Sequence, residues 1–184
     1  MNCSTSTTQL HTQMAAFNFT IYFTGNDDPR DGGIVIGEDE RPVYFEFETE
    51  LIPPSQTRTT IYSDRQPVAA FDWGADGNSL GVVTIGDREF PMLLLVMSSP
   101  VLSARRFQAA GGGFYDWRRV SRNPNSYELY AAPNTQPIAV YHQFSQATPI
   151  GPSHGTLEYN FTDCLFLLEA LLALNINRWI DWND

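Results

Sequence analysis

The chain has 184 residues, 42% of them apolar and 13% aromatic, and only 17% charged, below the roughly 25% usual for globular domains. That is enough apolar material for one folded domain, which at this size buries roughly 70% of the surface of the unfolded chain, and it excludes a wholly disordered chain. The formal net charge of -10 opposes non-specific attraction to nucleic acid or to an anionic membrane, since both need a positive field.

The first segment, residues 1–16 (MNCSTSTTQLHTQMAA), reads as a flexible polar N-terminus without the basic start and apolar stretch of a signal peptide. Two cysteines, Cys3 there and Cys164 in the last helix, make no disulfide framework, so a reducing compartment and a cytoplasmic location are expected. The glycosylation sequons at Asn2, Asn18 and Asn160 are then chance matches. Residues 17–184 read as a single domain.

Phe17 to Phe23 is aromatic and β-branched, which predicts a strand, and Gly25 to Gly33 (GNDDPRDGG) reads as a turn-rich loop. Val43 to Thr49 alternates as a half-buried strand does, and Pro53-Pro54 ends it. Thr57–Tyr62 and Val68–Trp73 predict a hairpin turning at Asp64 to Pro67. Further strands are predicted at Gly81–Ile85, Glu89–Val96, Ala104–Ala109, Phe114–Val120, Tyr127–Tyr130, Ile138–Phe144 and Thr156–Tyr159, a spacing that suits an all-β sandwich or barrel. Met92 to Met97 reads equally well as a short helix.

Asp163 to Trp182 (DCLFLLEALLALNINRWIDW) is the one convincing helix. Apolar side chains lie in nearly every direction around its axis, so it must be buried. A bilayer span needs roughly 20 predominantly apolar residues, and this apolar run is about half that and holds Glu169, so the membrane reading fails. Asp163 is placed to cap the N-terminus, Arg178 suits the C-terminal end, and Glu169 would be costly to bury without a partner.

The order and spacing of several segments carry a resemblance. These are the TTIY at Thr59–Tyr62, the PVAAFDW ending at Trp73, the run RFQAAGGGFYDWRR at Arg106–Arg119, the IAVY at Ile138–Tyr141 and the final apolar helix. Together they resemble a family abundant in mushroom-forming fungi, domain of unknown function 6593. That family looks similar to the tubby C-terminal and LURP-one-like folds, which implies about twelve antiparallel strands closed as a β-barrel around a central apolar C-terminal helix. The Gly-rich turn at Gly111–Gly113 and an insertion-like loop at Gln146–His154 stand out as departures.

Chemistry is harder to place. Gly77-Asn-Ser-Leu-Gly81 matches the G-x-S-x-G elbow, with His142 and His154 downstream, but the elbow needs a strand before its serine and a helix after it, and here a turn precedes and a strand follows. Three histidines, His11, His142 and His154, without ligand spacing, predict no metal site, and no cofactor motif is present. The acidic segments Gly37–Arg41 and Asn26–Asp28 lack calcium-loop spacing and read as solvated loops.

All eleven basic residues are arginine, which excludes a Schiff-base or P-loop lysine and is put down to codon bias or to avoidance of lysine modification. Arg105, Arg106, Arg118, Arg119 and Arg122 fall on one predicted hairpin among Phe107, Phe114, Tyr115 and Trp117. Arginine forks suit phosphate and carboxylate. Strand neighbours point to opposite faces, so one patch would hold Arg105 or Arg106 with Arg118 or Arg119, and Asp116 or Glu128 could pair with either.

The leading expectation is a non-enzymatic cytosolic binding or scaffold domain for a protein or an anionic, phosphoinositide-like ligand. Two alternatives are an enzyme acting on a small apolar or aromatic molecule in a cleft at the barrel rim, and a structural self-assembling protein. A deep pocket with buried Arg, Asp or Tyr would favour the enzyme, and an interior filled by the helix would count against it. Nucleic acid is not an expected partner.

Overall fold

In the computed structural model the described residues are 17–37, 43–53, 55–74, 77 and 79–183. The expectations for residues 1–16, Glu38 to Arg41, Pro54, Asp76, Asn78 and Asp184 lie outside them. The first meander comprises β1 (Phe19–Gly25), β2 (Gly33–Gly37), β3 (Tyr44–Ile52), β4 (Gln56–Ser63), β5 (Gln66–Asp72), β6 (Val82–Ile85) and β7 (Arg88–Pro91). The second comprises β8 (Met97–Ser98), β9 (Ala104–Gln108), β10 (Phe114–Val120), β11 (Asn123–Ala131), β12 (Ala139–Thr148) and β13 (Gly151–Tyr159), followed by α1 (Cys164–Asn183).

The meanders join through an antiparallel β1–β13 pair, so all thirteen strands form one antiparallel sheet running from β7 through β1 and β13 to β8. About twelve strands closed as a barrel were expected. Hydrogen bonding does not close the sheet, because between edge strands β7 and β8 the chain makes a 3-10 turn, Met92–Leu95, instead of a ladder. That turn replaces the second half of the strand predicted at Glu89–Val96. Met92 and Leu95 point into the core and leave Leu93 and Leu94 outside.

Two other strand expectations change. Ile34 to Ile36, assigned no element from the sequence, lies in β2, because its short apolar run gains ladders from β1 and β3. Gln146–His154 is not an insertion-like loop but the outer half of the β12–β13 hairpin, with Gln146 opposite Ser153 and Thr148 opposite Gly151. The predicted β4–β5 hairpin forms, and its two-residue turn puts Asp64 (φ 51°) and Arg65 (φ 65°) in the left-handed region that such primed turns require.

The helix explains the curvature. Every residue from Phe166 to Trp179 is buried, including polar Glu169, Asn175, Asn177 and Arg178. An apolar surface on all sides is removed from water only if the sheet lies on all sides, and one core cluster contains residues of both meanders and α1. Trp117 on β10 donates its indole N–H to the Ala170 carbonyl at 3.0 Å, which pins the sheet to mid-helix. Cys164 was expected in the buried stretch, but at the first helical position it is exposed.

Asp163 caps α1. Its Oδ1 accepts from the Leu165 and Phe166 N–H groups at 2.9 and 3.0 Å, satisfying two amides with no intrahelical partner. No helix among the described residues is long and apolar enough to cross a membrane. Replacing Asp163 with alanine is expected to cost about 1 kcal/mol in chemical denaturation, with Asp163→Asn losing much less. Leu171→Ala, at a fully buried helical position, is expected to cost about 2–5 kcal/mol.

Candidate functional site

Strand alternation divides the expected arginine patch between two faces. Arg105 and Arg119 project inward, toward the C-terminal end of α1, while Arg106 and Arg118 project outward around Asp116. Arg122 is exposed at the β10–β11 turn and joins neither group.

The outer group is a structural ion pair. Arg106 holds Asp116 through two parallel bonds, Nε to Oδ1 at 2.8 Å and Nη2 to Oδ2 at 2.9 Å, and the Asp116 side chain is only 2% exposed. Arg118 lies 4.0 Å from the same carboxylate and stacks 3.7 Å above the ring of Tyr130. Glu128 does not pair with the arginines; it accepts the Tyr130 hydroxyl at 2.7 Å. Burial alone would raise the Asp116 pKa, but bonds from Arg106 and Ser99 and the charge of Arg118 outweigh it, and the group ionises below its ordinary 3.8.

The inner group is the candidate site. Asp181 in the last turn of α1 is its hub: Arg105 Nη2 reaches Oδ1 at 2.7 Å, Tyr127 donates its hydroxyl to Oδ2 at 2.7 Å, and Arg119 Nε lies 3.7 Å from Oδ2. Arg105 also bonds Asn177 Oδ1 at 3.1 Å. Arg119 and Tyr127 are cross-strand partners in the β10–β11 ladder, which is why both meet one carboxylate. Burial and the neighbouring Asp181 push the Tyr127 phenol far above 10, so it stays a donor.

A second hub is Asp27, in the loop between β1 and β2. Arg178, read from sequence as a partner for the helix end, donates to its Oδ1 at 2.7 Å, and Gln143 donates to Oδ2 at 2.8 Å. His154 Nδ1 lies 3.0 Å from Oδ1, and its imidazole is held below its ordinary pKa of 6.5, first by burial and then by Arg178, against the attraction of Asp27. The Arg178 guanidinium also lies over the Tyr141 ring at 5.1 Å. Asn26–Asp28 was expected to be a solvated loop, but Asp27 is drawn in because Arg178 is buried and its charge needs a nearby anion. The two hubs flank a polar cavity of about 310 Å³ lined by Asp27, Arg119, Tyr127, Gln143, Arg178 and Asp181, with Trp182 at its edge.

The G-x-S-x-G residues do not assemble with the histidines. His142 Nδ1 shares a bond with Ser126 at 3.1 Å and His154 belongs to Asp27, whereas Ser79 packs beside Gly74. Both glycines have backbone reasons to be there: Gly77 has φ +68°, and a Cβ at Gly81 would lie 2.0 Å from the Asp72 carbonyl oxygen. Among the described residues no group of three or more His, Cys, Asp or Glu side chains could hold a metal ion.

At the other end of α1, Glu169 is buried and fully engaged. It accepts from Arg88 Nη2 on Oε1 at 2.5 Å and from the Ala110 N–H at 3.1 Å on both oxygens. The partner expected for this carboxylate is thus an arginine on edge strand β7, with the Gly-rich turn after β9 closing over it.

A single antiparallel sheet enclosing an apolar C-terminal helix, with a charged cluster at the helix end, defines a helix-filled β domain. The chain belongs to the family of unknown function DUF6593, whose model matches residues 27–172. No curated protein and no solved structure matches it.

The outer pair gives a stability prediction. Because the Asp116 pKa is lowered on folding, its contribution is complete above the unfolded value of about 3.8 and is lost as pH falls through the folded value. Asp116→Asn is expected to destabilise by about 2 kcal/mol at pH 7, less than the 3–5 typical of breaking a fully buried pair because Arg106 is partly exposed. The gap between mutant and native protein should close as urea melts are repeated below pH 3.8.

Proposed function

We propose that the protein is a non-enzymatic binding domain of the cytosol that takes an anionic group, on an acidic protein partner or a phosphoinositide-like headgroup, at the rim beside the C-terminal end of α1. The observation that carries this reading is the cluster of Arg105, Arg119 and Arg178, from three elements, around Asp27 and Asp181, with Arg119 and Arg178 lining one polar cavity and Arg105 lining an adjoining one that shares Arg119 and Asp181. Guanidinium forks are suited to carboxylate and phosphate, and three such groups against two carboxylates leave a local positive excess on a protein of net charge -10. Enclosure of the apolar helix supports the tubby-like and LURP-one-like reading of the sequence, while the fungal reading rests on the family resemblance. It also leaves the rim and outer face for ligands.

The overall negative charge favours an acidic protein segment over a membrane surface, because a bilayer presents its field to the whole molecule. An enzymatic reading gains from the buried Arg178 and Tyr127 beside the cavity. It loses because the helix fills the interior, and because Tyr127 is held protonated and so is no base near neutral pH.

Flotation with vesicles with and without phosphoinositide, alongside titration with a poly-glutamate peptide at low salt, tests the reading. Binding of the peptide that weakens steeply with salt is expected, with Arg119→Gln reducing affinity about three- to tenfold. Flotation only with phosphoinositide would assign the headgroup instead, and no binding of either probe at low salt would refute the proposal.

A further inference from the structure

We propose that the cavity at the N-terminal end of α1 is a second binding site, and that its ligand is a small organic cation: an ammonium group carried on an apolar or aromatic body. The cavity holds about 460 Å³, within the range of roughly 300–1,000 Å³ usual for small-molecule sites. It lies toward the opposite end of a 20-residue helix, roughly 20 Å along the axis from the arginine cluster.

Three aromatic rings from three elements form one wall. Phe166 of α1 packs against Tyr115 of β10 with centroids 4.3 Å apart, and against Phe161 of the β13–α1 connection at 4.5 Å. Ring faces attract cations, and such walls recognise ammonium groups by that attraction together with apolar contact. The residues lining this cavity include two carboxylates, Asp163 and Glu169, and no arginine or histidine. Arg88 engages Glu169 but lines a neighbouring cavity, with residues of β3 to β6 and the start of α1, and not this one.

The positive end of the helix does not reverse this balance. Asp163 already takes two free amides of the first turn, those of Leu165 and Phe166, placing a carboxylate in the wall where the helix dipole would otherwise present positive charge. An anion entering here would meet two carboxylates without a lining cation, and a neutral apolar molecule would gain nothing from the negative charge of Asp163, which no arginine neutralises among the described residues. A cation also gains from the net charge of -10. The aromatic wall, both carboxylates and the Gly-rich turn lie within residues 27–172, the span matched by the family, whereas Arg178, Asp181 and Trp182 of the other site lie beyond it.

The test uses the full chain with benzylammonium and n-butylammonium as probes, and benzyl alcohol and benzoate as the neutral and anionic counterparts of the first. Saturation-transfer NMR and calorimetry at low salt should show saturable binding of the ammonium probes, at least about tenfold weaker binding of benzyl alcohol, and none of benzoate. Glu169→Gln preserves shape and an acceptor for the Ala110 N–H, and should weaken benzylammonium about tenfold. Phe161→Leu, on the partly exposed side of the wall, should weaken it several-fold in a variant that still unfolds cooperatively, which keeps the test decisive if Glu169→Gln fails to fold. No saturable binding of either ammonium probe, equal binding of benzyl alcohol, or unchanged affinity in folded Phe161→Leu would overturn the proposal.

Discussion

The structure rests on one constraint: a helix whose central residues, Ala170 to Leu174, are apolar in every direction and must be kept from water on every side. A flat sheet covers one face of a helix. Thirteen strands in one continuous antiparallel ladder can curl until both meanders touch the same helix, and the pairing of β1 with β13 places the chain's first and last strands at the middle of that sheet. The edges are then brought near one another, and the chain passes between them in a single 3-10 turn without closing the ladder.

From that constraint follows the placement of polar chemistry. With the interior occupied, the buried charges of the helix, Glu169 and Arg178, sit toward its two ends, and each is matched by a partner from the sheet or a loop. At the C-terminal end Asp181 and Asp27 gather Arg105, Arg119 and Arg178; at the N-terminal end Glu169 takes Arg88 and the Ala110 amide. These pairs fix how the helix sits along its own axis, which apolar packing leaves loosely specified, and they give the two ends opposite electrostatic character.

The helix, its cap at Asp163 and the failure of the membrane reading were legible in the sequence because they depend on local pattern and length. The division of the arginines was half legible: alternation in a strand separates Arg105 from Arg106 and Arg118 from Arg119, but that Arg105 joins Arg119 depends on the β9–β10 register. The hubs Asp27 and Asp181 were not, because their partners arrive from distant segments; Asp27 and Arg178 are 151 residues apart. The turn-rich setting of Asp27 imitates a solvated loop. The outer β12–β13 hairpin was hidden for a different reason: it runs past the core, so its residues are mostly polar and lack the buried-exposed alternation that marks a strand. Closure of the barrel was the expectation carried by resemblance alone, and the ladder stops at β7 and β8.

Native-state amide hydrogen exchange across α1 tests the enclosed helix most directly. If the sheet surrounds it, the amides of Ala170 to Leu174 exchange only through global unfolding, with free energies equal to that from denaturant melts, while the exposed last turn at Trp182 and Asn183 exchanges far faster. Exchange of the central helix amides at a markedly lower free energy than global unfolding, leaving the β-sheet amides protected, would show that the sheet stands without the helix and would contradict the account.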